Sequence, residues 1–294
     1  MSLEIQSQNV ALTSGSVTTF NFDYDVTQYV AGIASFLLTF GDDDHHVEQM
    51  SISLQVNKPS SRSITVRAIP ILNDASGNSI NLGDSYVTVA VLAWTGTPTT
   101  AIVLSPQYTI GSGESSSNIP LQGGSNPTLQ AVCCGFNLTY GDDDHEVAYV
   151  QASVGAGASG NQGYITASAS MNDSSGNRAS DPTAIGALIA TSPQNAGIVV
   201  VPYSAQNEAP ATISMGYPVS KAVSLLTGFQ VRFPSNDDHH IRTIGAGPND
   251  TQVNYLDNTQ VVTSGVWAWM YDDSDNNQDD NASFADIVVI GLLA

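Results

Sequence analysis

One residue pattern occurs three times in this chain of 294 residues: an alternating apolar run, an acidic turn, and then a histidine. The copies read FLLTFGDDDHHV from Phe36, FNLTYGDDDHEV from Phe136, and FQVRFPSNDDHHI from Phe229. All five histidines of the chain and eight of its 22 aspartates lie inside these copies. A repeat spaced by about 95 residues constrains the fold strongly, because each copy is expected to build the same unit.

A second pattern follows each copy and sets the boundaries of the repeat. It reads NDASGN over residues 73–78, NDSSGN over 172–177, and the more acidic DDSDNN over 272–277. An apolar stretch then closes each third of the chain, at 86–94, 183–190 and 284–293. The sequence therefore predicts three units, at residues 1–98, 99–200 and 201–294.

Within each unit, apolar and polar residues alternate with the period of β-strands. In the first unit this holds around Phe20, around Phe36, from Met50 to Val56, and from Val87 to Ala93. Clusters of Gly, Asn, Asp and Ser separate these runs, as turns require. The prediction is an all-β chain of three tandem homologous antiparallel β-sandwich units of the jelly-roll type. Two arrangements stay open: packing about a pseudo-threefold axis, and a linear array.

The charge balance excludes several classes of partner. Seven Lys and Arg stand against 27 Asp and Glu, which gives a net charge of −20. Nucleic-acid binding depends on basic side chains that displace counterions, so we expect no nucleic-acid partner. No run of about 18 apolar residues is present, so we expect no membrane insertion.

Two adjacent cysteines, Cys133 and Cys134, would point to opposite faces of a strand, so we expect no disulfide between them. Met1-Ser2-Leu3-Glu4 lacks the basic and apolar character of a secretory leader, and a processed leader stays open. The low-charge, Ser- and Thr-rich composition favours a secreted or virion-associated protein.

The repeated acidic turn carries candidate metal ligands, because carboxylates and imidazoles together suit zinc and carboxylates with carbonyls suit calcium. The candidates are Asp43, His45 and His46, then Asp143, His145 and Glu146, then Asp237, His239 and His240. If the units share an axis, three such turns can converge on it. The alternative is a structural role, in which each aspartate accepts backbone N–H groups and each histidine fixes its turn.

Two further groups are candidates for binding. The second pattern offers an acidic turn for calcium at Asp74, Asp173, Asp273 and Asp275, with an ordinary β-turn as the alternative. Trp267 and Trp269 lie two apart, hence on one face of a strand, and are candidates for a ligand platform. Packing in the core is the alternative for both rings.

The order of features in a unit resembles that of the H-type lectin domain. The first unit carries this resemblance best, with Phe36 to Phe40, the Asp42 to Asp44 turn, two long alternating strands, and VTVAVLAWTG closing at Gly96. The resemblance implies a six-stranded antiparallel sandwich, trimeric packing and sugar binding. The Asp-His turn is not a hallmark of that family, and no sugar-contacting residue is carried over.

Enzyme motifs such as Gly-x-Ser-x-Gly or His-Glu-x-x-His do not occur in the sequence. Three copies of one turn suit multivalent binding better than catalysis. We therefore expect a non-catalytic protein that recognises a glycan or a partner surface, with calcium or zinc as the candidate cofactor. The alternatives are a self-assembling subunit of a capsid, appendage or filament, and a metalloenzyme that uses the Asp/His turns.

Overall fold

The computed structural model describes residues 2–13, 15–97, 99–121, 127–141, 143–191, 197–206, 210–254, 256–263, 265–274, 276–279 and 281–294. These residues form β-strands, apart from turns and one short 3-10 segment, Pro234–Asn236. The prediction of an all-β, antiparallel chain is confirmed. Among the described residues, no helix is long and apolar enough to cross a membrane.

The strands fall into three successive groups along the chain. The first group contains β1 (Ser2–Asn9), β2 (Thr18–Asn21), β3 (Val26–Thr39), β4 (Gln49–Ser60), β5 (Ser63–Asn73) and β6 (Tyr86–Thr95). The second contains β7 (Ile102–Leu104), β8 (Tyr108–Gly111), β9 (Ile119–Pro120), β10 (Thr128–Thr139), β11 (Tyr149–Ser159), β12 (Gln162–Asn172) and β13 (Thr183–Thr191). The third contains β14 (Ile198–Ala205), β15 (Ala211–Ser214), β16 (Val219–Arg232), β17 (Thr243–Pro248), β18 (Thr251–Val253), β19 (Gln260–Thr263), β20 (Val266–Tyr271) and β21 (Phe284–Leu293).

Three large antiparallel sheets share one plan, in which strands from two groups meet. The strand orders are β1-β6-β3-β17-β20, then β2-β5-β4-β10-β13-β7 with β8 also on β13, then β14-β21-β16-β11-β12-β9. A small sheet, β15-β19-β18, completes the set. The junctions are β3 with β17, β4 with β10, and β11 with β16. Sheet boundaries therefore do not follow the predicted unit boundaries, because every large sheet is shared between two thirds of the chain.

Close approach of the strands at these junctions requires glycine. A Cβ on Gly135 would lie 2.2 Å from a backbone oxygen of β4. A Cβ on Gly228 would lie 2.4 Å from the Cβ of Ser153, and one on Gly247 would lie 2.3 Å from the Cβ of Ser35. Each contact is far shorter than van der Waals separation, so one glycine at each junction lets the two backbones meet.

Three phenylalanines, one from each group of strands, pack against each other in the core. The ring centroids of Phe36 and Phe136 lie 5.6 Å apart, those of Phe36 and Phe229 5.1 Å, and those of Phe136 and Phe229 5.3 Å. All three side chains are fully buried. Tilted and edge-on aromatic pairs of this kind contribute about 0.5–1.5 kcal/mol each beyond the burial of area. The three thirds of the chain thus share one core.

The apolar end of the chain and the two cysteines are both accommodated inside this body. Strand β21 lies between β14 and β16, so the run from Ile287 is covered by the protein's own sheet. Cys133 and Cys134 are buried and unbonded, in agreement with their adjacent positions in one strand. Burial raises the pKa of Cys133 to about 11, which keeps this thiol protonated at neutral pH.

Candidate functional site

The three Asp/His turns follow β3, β10 and β16 and meet in a ring of backbone hydrogen bonds. The bridged pairs are His45 with Ile241, Val47 with His145, and Val147 with His239. In each pair both N–H groups donate to the partner carbonyl, at distances between 2.8 and 3.2 Å. The ring fixes each turn on both sides, since every turn bonds to the other two.

One residue of each turn lies between two bridged positions, and these residues form the candidate metal centre. They are His46, Glu146 and His240, and one ligand atom from each lies within 4.8 Å of the other two. The imidazole rings of His46 and His240 meet edge to face, with centroids 4.4 Å apart. The side chains are each about 40% exposed, so the cluster faces solvent. Successive side chains of an extended backbone point to opposite sides, which explains why only the middle residues converge.

Asp144 holds the first imidazole of the cluster. Its Oδ1 lies 3.4 Å from Nδ1 of His46. Its Oδ2 accepts the N–H of Ala75 at 3.1 Å, so the carboxylate is itself fixed by the turn after β5. Asp144 thereby leaves Nε2 as the free nitrogen of His46.

Asp44 does the same for the second imidazole. Its Oδ1 lies 3.3 Å from Nδ1 of His240, and its Oδ2 accepts the N–H of Asp273 at 3.3 Å. Burial alone would raise the pKa of Asp44, but the hydrogen bonds from Asp273 and His240 outweigh it and lower that pKa. The hydrogen bond and negative charge of Asp44 in turn raise the pKa of Asp273.

The third position of the cluster differs from the other two. Glu146 stands where the other turns have histidine, and its Oε1 lies 3.4 Å from Nε2 of His240. A carboxylate offers no N–H to Asp238, the sequence counterpart of Asp44 and Asp144. The cluster is therefore two imidazoles and one carboxylate, and only the imidazoles are held by a neighbouring aspartate.

The histidines present in every copy lie outside this cluster. Each packs its ring on the aromatic residue five or six positions earlier and places Nδ1 beside a buried carboxylate. The pairs are His45 with Asp74 at 3.4 Å, His145 with Asp173 at 3.6 Å, and His239 with Asp272 at 3.3 Å. The ring contacts are with Phe40, Tyr140 and Phe233, at centroid distances of 4.8, 4.8 and 4.5 Å. These histidines join the first repeated turn to the second.

The buried carboxylates close the second repeated turn by accepting hydrogen bonds from within it. Asp74 accepts the backbone N–H of Asn78 at 2.7 Å and its side-chain N–H at 2.6 Å. Asp173 and Asp272 accept the same pair of donors from the residue four positions on. Burial would raise the pKa of Asp74, yet the N–H groups of Asn78 and the charge of His45 lower it.

In the third copy the turn carboxylate lies one residue earlier in the sequence than predicted. The turn carboxylate is Asp272, whose N–H donates to the carbonyl of Asn276. The predicted Asp273 is exposed, and its N–H donates to Asp44. Asp275 lies outside the described residues. The error arose because the third copy has two adjacent aspartates and no Asn-Asp pair to fix the alignment.

The remaining predicted ligands are placed elsewhere. Asp43, Asp143 and Asp237 are exposed and do not belong to the 4.8 Å cluster. The following residue of each turn is partly buried, and two of these residues, Asp44 and Asp144, hold the imidazoles. The aspartate that all three copies have at this position is the sequence signal for this role.

The two tryptophans form a stack that is mostly internal. Their centroids lie 4.3 Å apart with 28° between the ring planes. Trp267 is 1% exposed, and a Cβ on Gly245 would lie 2.8 Å from its ring. Trp267 is therefore a core residue rather than half of a platform, and only Trp269 reaches solvent.

A cleft lies between the start of β3, in the first group of strands, and residues 104–107 of the second group. We call it the junction cleft. Its volume is about 420 Å³, and it is lined by Thr27, Gln28, Tyr29, Val30, Ala31, Val56, Leu104, Ser105, Pro106 and Gln107. None of these lining residues is acidic, basic or a histidine. Nε2 of Gln107 is buried and has no hydrogen-bond partner among the described residues. No pattern in the sequence predicts this cleft, because its walls come from separate thirds of the chain.

The sequence can be compared with models of known protein families and with curated proteins. No model of a known protein family matches it, and no curated protein is significantly similar to it. Fold and site define the class as an all-β protein of shared antiparallel sheets with a His/Glu cluster.

Proposed function

We propose that the protein is a non-catalytic binding protein of three homologous β units about a pseudo-threefold axis, and that it recognises a neutral glycan. Three junctions of the same kind, three glycines at those junctions and the phenylalanine trio support the repeated units. The resemblance of each unit to the H-type lectin domain favours a glycan over other ligands. The low-charge, Ser- and Thr-rich composition favours a protein that works outside the cell or on a virion.

The junction cleft is the observation that carries the proposal. Its volume lies within the range of small-molecule sites, and its walls combine apolar side chains with amide and hydroxyl groups. Gln28 is held in place by hydrogen bonds to Thr99 and Leu104, whereas Nε2 of Gln107 has no hydrogen-bond partner among the described residues. Oxygen atoms of a bound ligand would pair with the amide and hydroxyl groups that these walls present. A sugar supplies such oxygens together with apolar C–H faces.

The charge of the protein supports a neutral ligand. A net charge of −20 repels anionic partners at long range, including acidic polysaccharides. The cleft itself has no charged lining residue that would reverse this preference. Neutral glycans are thus favoured over sulfated or uronic-acid chains.

Self-assembly as a capsid, appendage or filament subunit has less support. An uncovered apolar end of the chain would favour it, but the protein's own sheet covers that end. The exposed large apolar side chains are scattered over separate turns, at Val17, Tyr24, Leu82, Tyr217 and Leu256. Copies with a net charge of −20 also repel each other at low salt.

A metalloenzyme stays the second candidate, because the three Asp/His turns do converge as such a site requires. It predicts zinc-dependent hydrolysis of activated esters or peptides, lost in a His46→Ala variant. Hydrolysis by wild-type protein above that of the variant would replace the non-catalytic proposal.

A glycan array tests the main proposal. Wild-type protein should bind a defined set of neutral glycans, and Gln107→Ala and Tyr29→Ala should weaken that binding at least tenfold. Gln55→Ala is the matched control, because Gln55 is exposed and does not line the cleft. Absence of binding across the array, or equal binding by the cleft variants, would refute the assignment.

A further inference from the structure

We infer that His46, Glu146 and His240 bind one divalent transition-metal ion, with zinc strongly preferred over calcium. This inference is independent of the proposed glycan binding, because the metal cluster and the junction cleft share no residue.

The spacing of the ligand atoms suits a single ion. Zinc binds imidazole nitrogen and carboxylate oxygen at about 2.0–2.2 Å, so neighbouring ligands in a tetrahedral site lie about 3.4 Å apart. The distance between Nε2 of His240 and Oε1 of Glu146 is 3.4 Å. The third ligand atom, from His46, lies within 4.8 Å of both. A side-chain movement of up to about 1.4 Å would bring it to the same separation.

The surroundings prepare the imidazoles for a metal. Ligating histidines usually give the N–H of the other ring nitrogen to a carboxylate, which fixes the tautomer and directs the lone pair at the ion. Asp144 lies beside Nδ1 of His46, and Asp44 lies beside Nδ1 of His240. Each carboxylate is anchored by a backbone N–H from another third of the chain. Nε2 of each ring is therefore the ligand atom.

The chemistry of the ligand set selects the class of ion. Calcium takes six to eight oxygen ligands, and this cluster offers two nitrogens and one carboxylate. Imidazole with carboxylate suits zinc and related first-row ions. Three protein ligands leave a coordination position on the exposed side, which a water molecule would fill. One bound ion also lowers the negative charge where three acidic turns meet.

The site would join distant parts of the chain. Its ligands come from three turns that follow β3, β10 and β16, and the intervening sequence spans about 95 residues on each side. An ion that binds only the folded arrangement stabilises it by mass action. Zinc at one hundred times its dissociation constant should thus raise the melting temperature by about 5 °C or more.

The test compares metal-free wild-type protein with three ligand variants and one control variant. Titration calorimetry should find one zinc per chain, and substitution with cobalt should give the visible bands of a low-coordinate site. Calcium should neither bind the cluster nor displace zinc. His46→Ala and His240→Ala should lose the zinc site, and Glu146→Gln should weaken it at least tenfold. Asp43→Asn is the matched control, because Asp43 is exposed in the same turn and lies outside the cluster.

Circular dichroism and size-exclusion chromatography would show that the alanine variants keep the fold, since the ligand side chains lie on the surface. Loss of zinc in folded variants supports the site. Zinc binding that persists in His46→Ala, or no binding by wild-type protein at 100 μM zinc, would overturn it. Either outcome leaves glycan binding to be judged separately, by array data on metal-free protein.

Discussion

Nε2 of His240 lies 3.4 Å from Oε1 of Glu146, although the two residues belong to different copies of the repeated turn. This contact exists because the second copy has a glutamate where the first and third have histidine. Two imidazoles and one carboxylate make a less positive centre than three imidazoles around the same ion. The divergence of one copy therefore sets the chemistry of a site to which all three contribute.

The carboxylates behind the imidazoles should affect metal affinity without being ligands. Asp144→Asn and Asp44→Asn remove the negative charge beside Nδ1 of His46 and His240. Loss of such a partner typically costs 10–100-fold in metal affinity. Zinc titration with a competing chelator measures this change. Asp143→Asn serves as the control, and a loss of affinity as large as that of Asp144→Asn would contradict the assigned role.

Much of the fold followed from the sequence, whereas the partners of each strand did not. Alternation around Phe36 and from Met50 to Val56 predicted strands, since period two is a local property. Pairing of β4 with β10 joins residues about 85 positions apart, and no local pattern encodes it. The repeats left packing about an axis open as one arrangement, but they could not show that each large sheet continues from one third of the chain into another.

The sequence likewise predicted only part of the candidate site. The repeated turn was found because the histidines are concentrated there, and three of the nine proposed ligands form the cluster. The histidine present in every copy is among the proposed ligands, yet His45 packs on Phe40 and places Nδ1 beside Asp74. The backbone bridges at positions 45 and 47 decide which of the two neighbouring histidines points into the His/Glu cluster. These bridges involve residues of the other copies, so the sequence of one copy does not reveal the choice.

The register of the third acidic turn can be tested by a matched pair of substitutions. Asp272 is 5% exposed and accepts hydrogen bonds from Ser274 and from the backbone and side chain of Asn276. Asp272→Ala should lower the free energy of unfolding by about 1–3 kcal/mol, because buried donors lose their acceptor. Asp273→Ala should leave the urea midpoint nearly unchanged. The reverse order would place the turn carboxylate at Asp273.

Stability should fall in acid because of the buried turn carboxylates. Hydrogen bonds from Asn78 and Asn177 outweigh burial and lower the pKa values of Asp74 and Asp173. A carboxylate whose pKa is lower in the folded state stabilises the fold above the unfolded value of about 3.9 and loses that contribution as pH falls further. Urea unfolding between pH 2 and pH 6 should show a decline below about pH 4. In Asp74→Asn this acid decline should be shallower, and an unchanged slope would exclude Asp74 as a cause.

The glycines at the sheet junctions offer the sharpest test that three equivalent contacts hold the protein together. At two junctions a glycine of the long strand faces a serine, Gly135 with Ser53 and Gly228 with Ser153. At the third junction the order is reversed, since Gly247 approaches Ser35. Gly247→Ser should lower the free energy of unfolding by about 1–3 kcal/mol or more, because its Cβ would overlap that of Ser35.

Restoring the arrangement of the other two junctions should recover part of that loss. The double variant Ser35→Gly with Gly247→Ser removes the overlap, although the φ of 142° at Gly247 still strains a side chain there. Ser35→Gly alone is the control, and it should destabilise mildly because glycine weakens a strand interior. Urea unfolding of the four proteins gives the coupling energy between the two positions. We expect a favourable coupling energy of about 1 kcal/mol or more, because one glycine in the pair is enough for the two backbones to approach each other. If the effects of the two substitutions simply add, the close approach at this junction does not limit its packing.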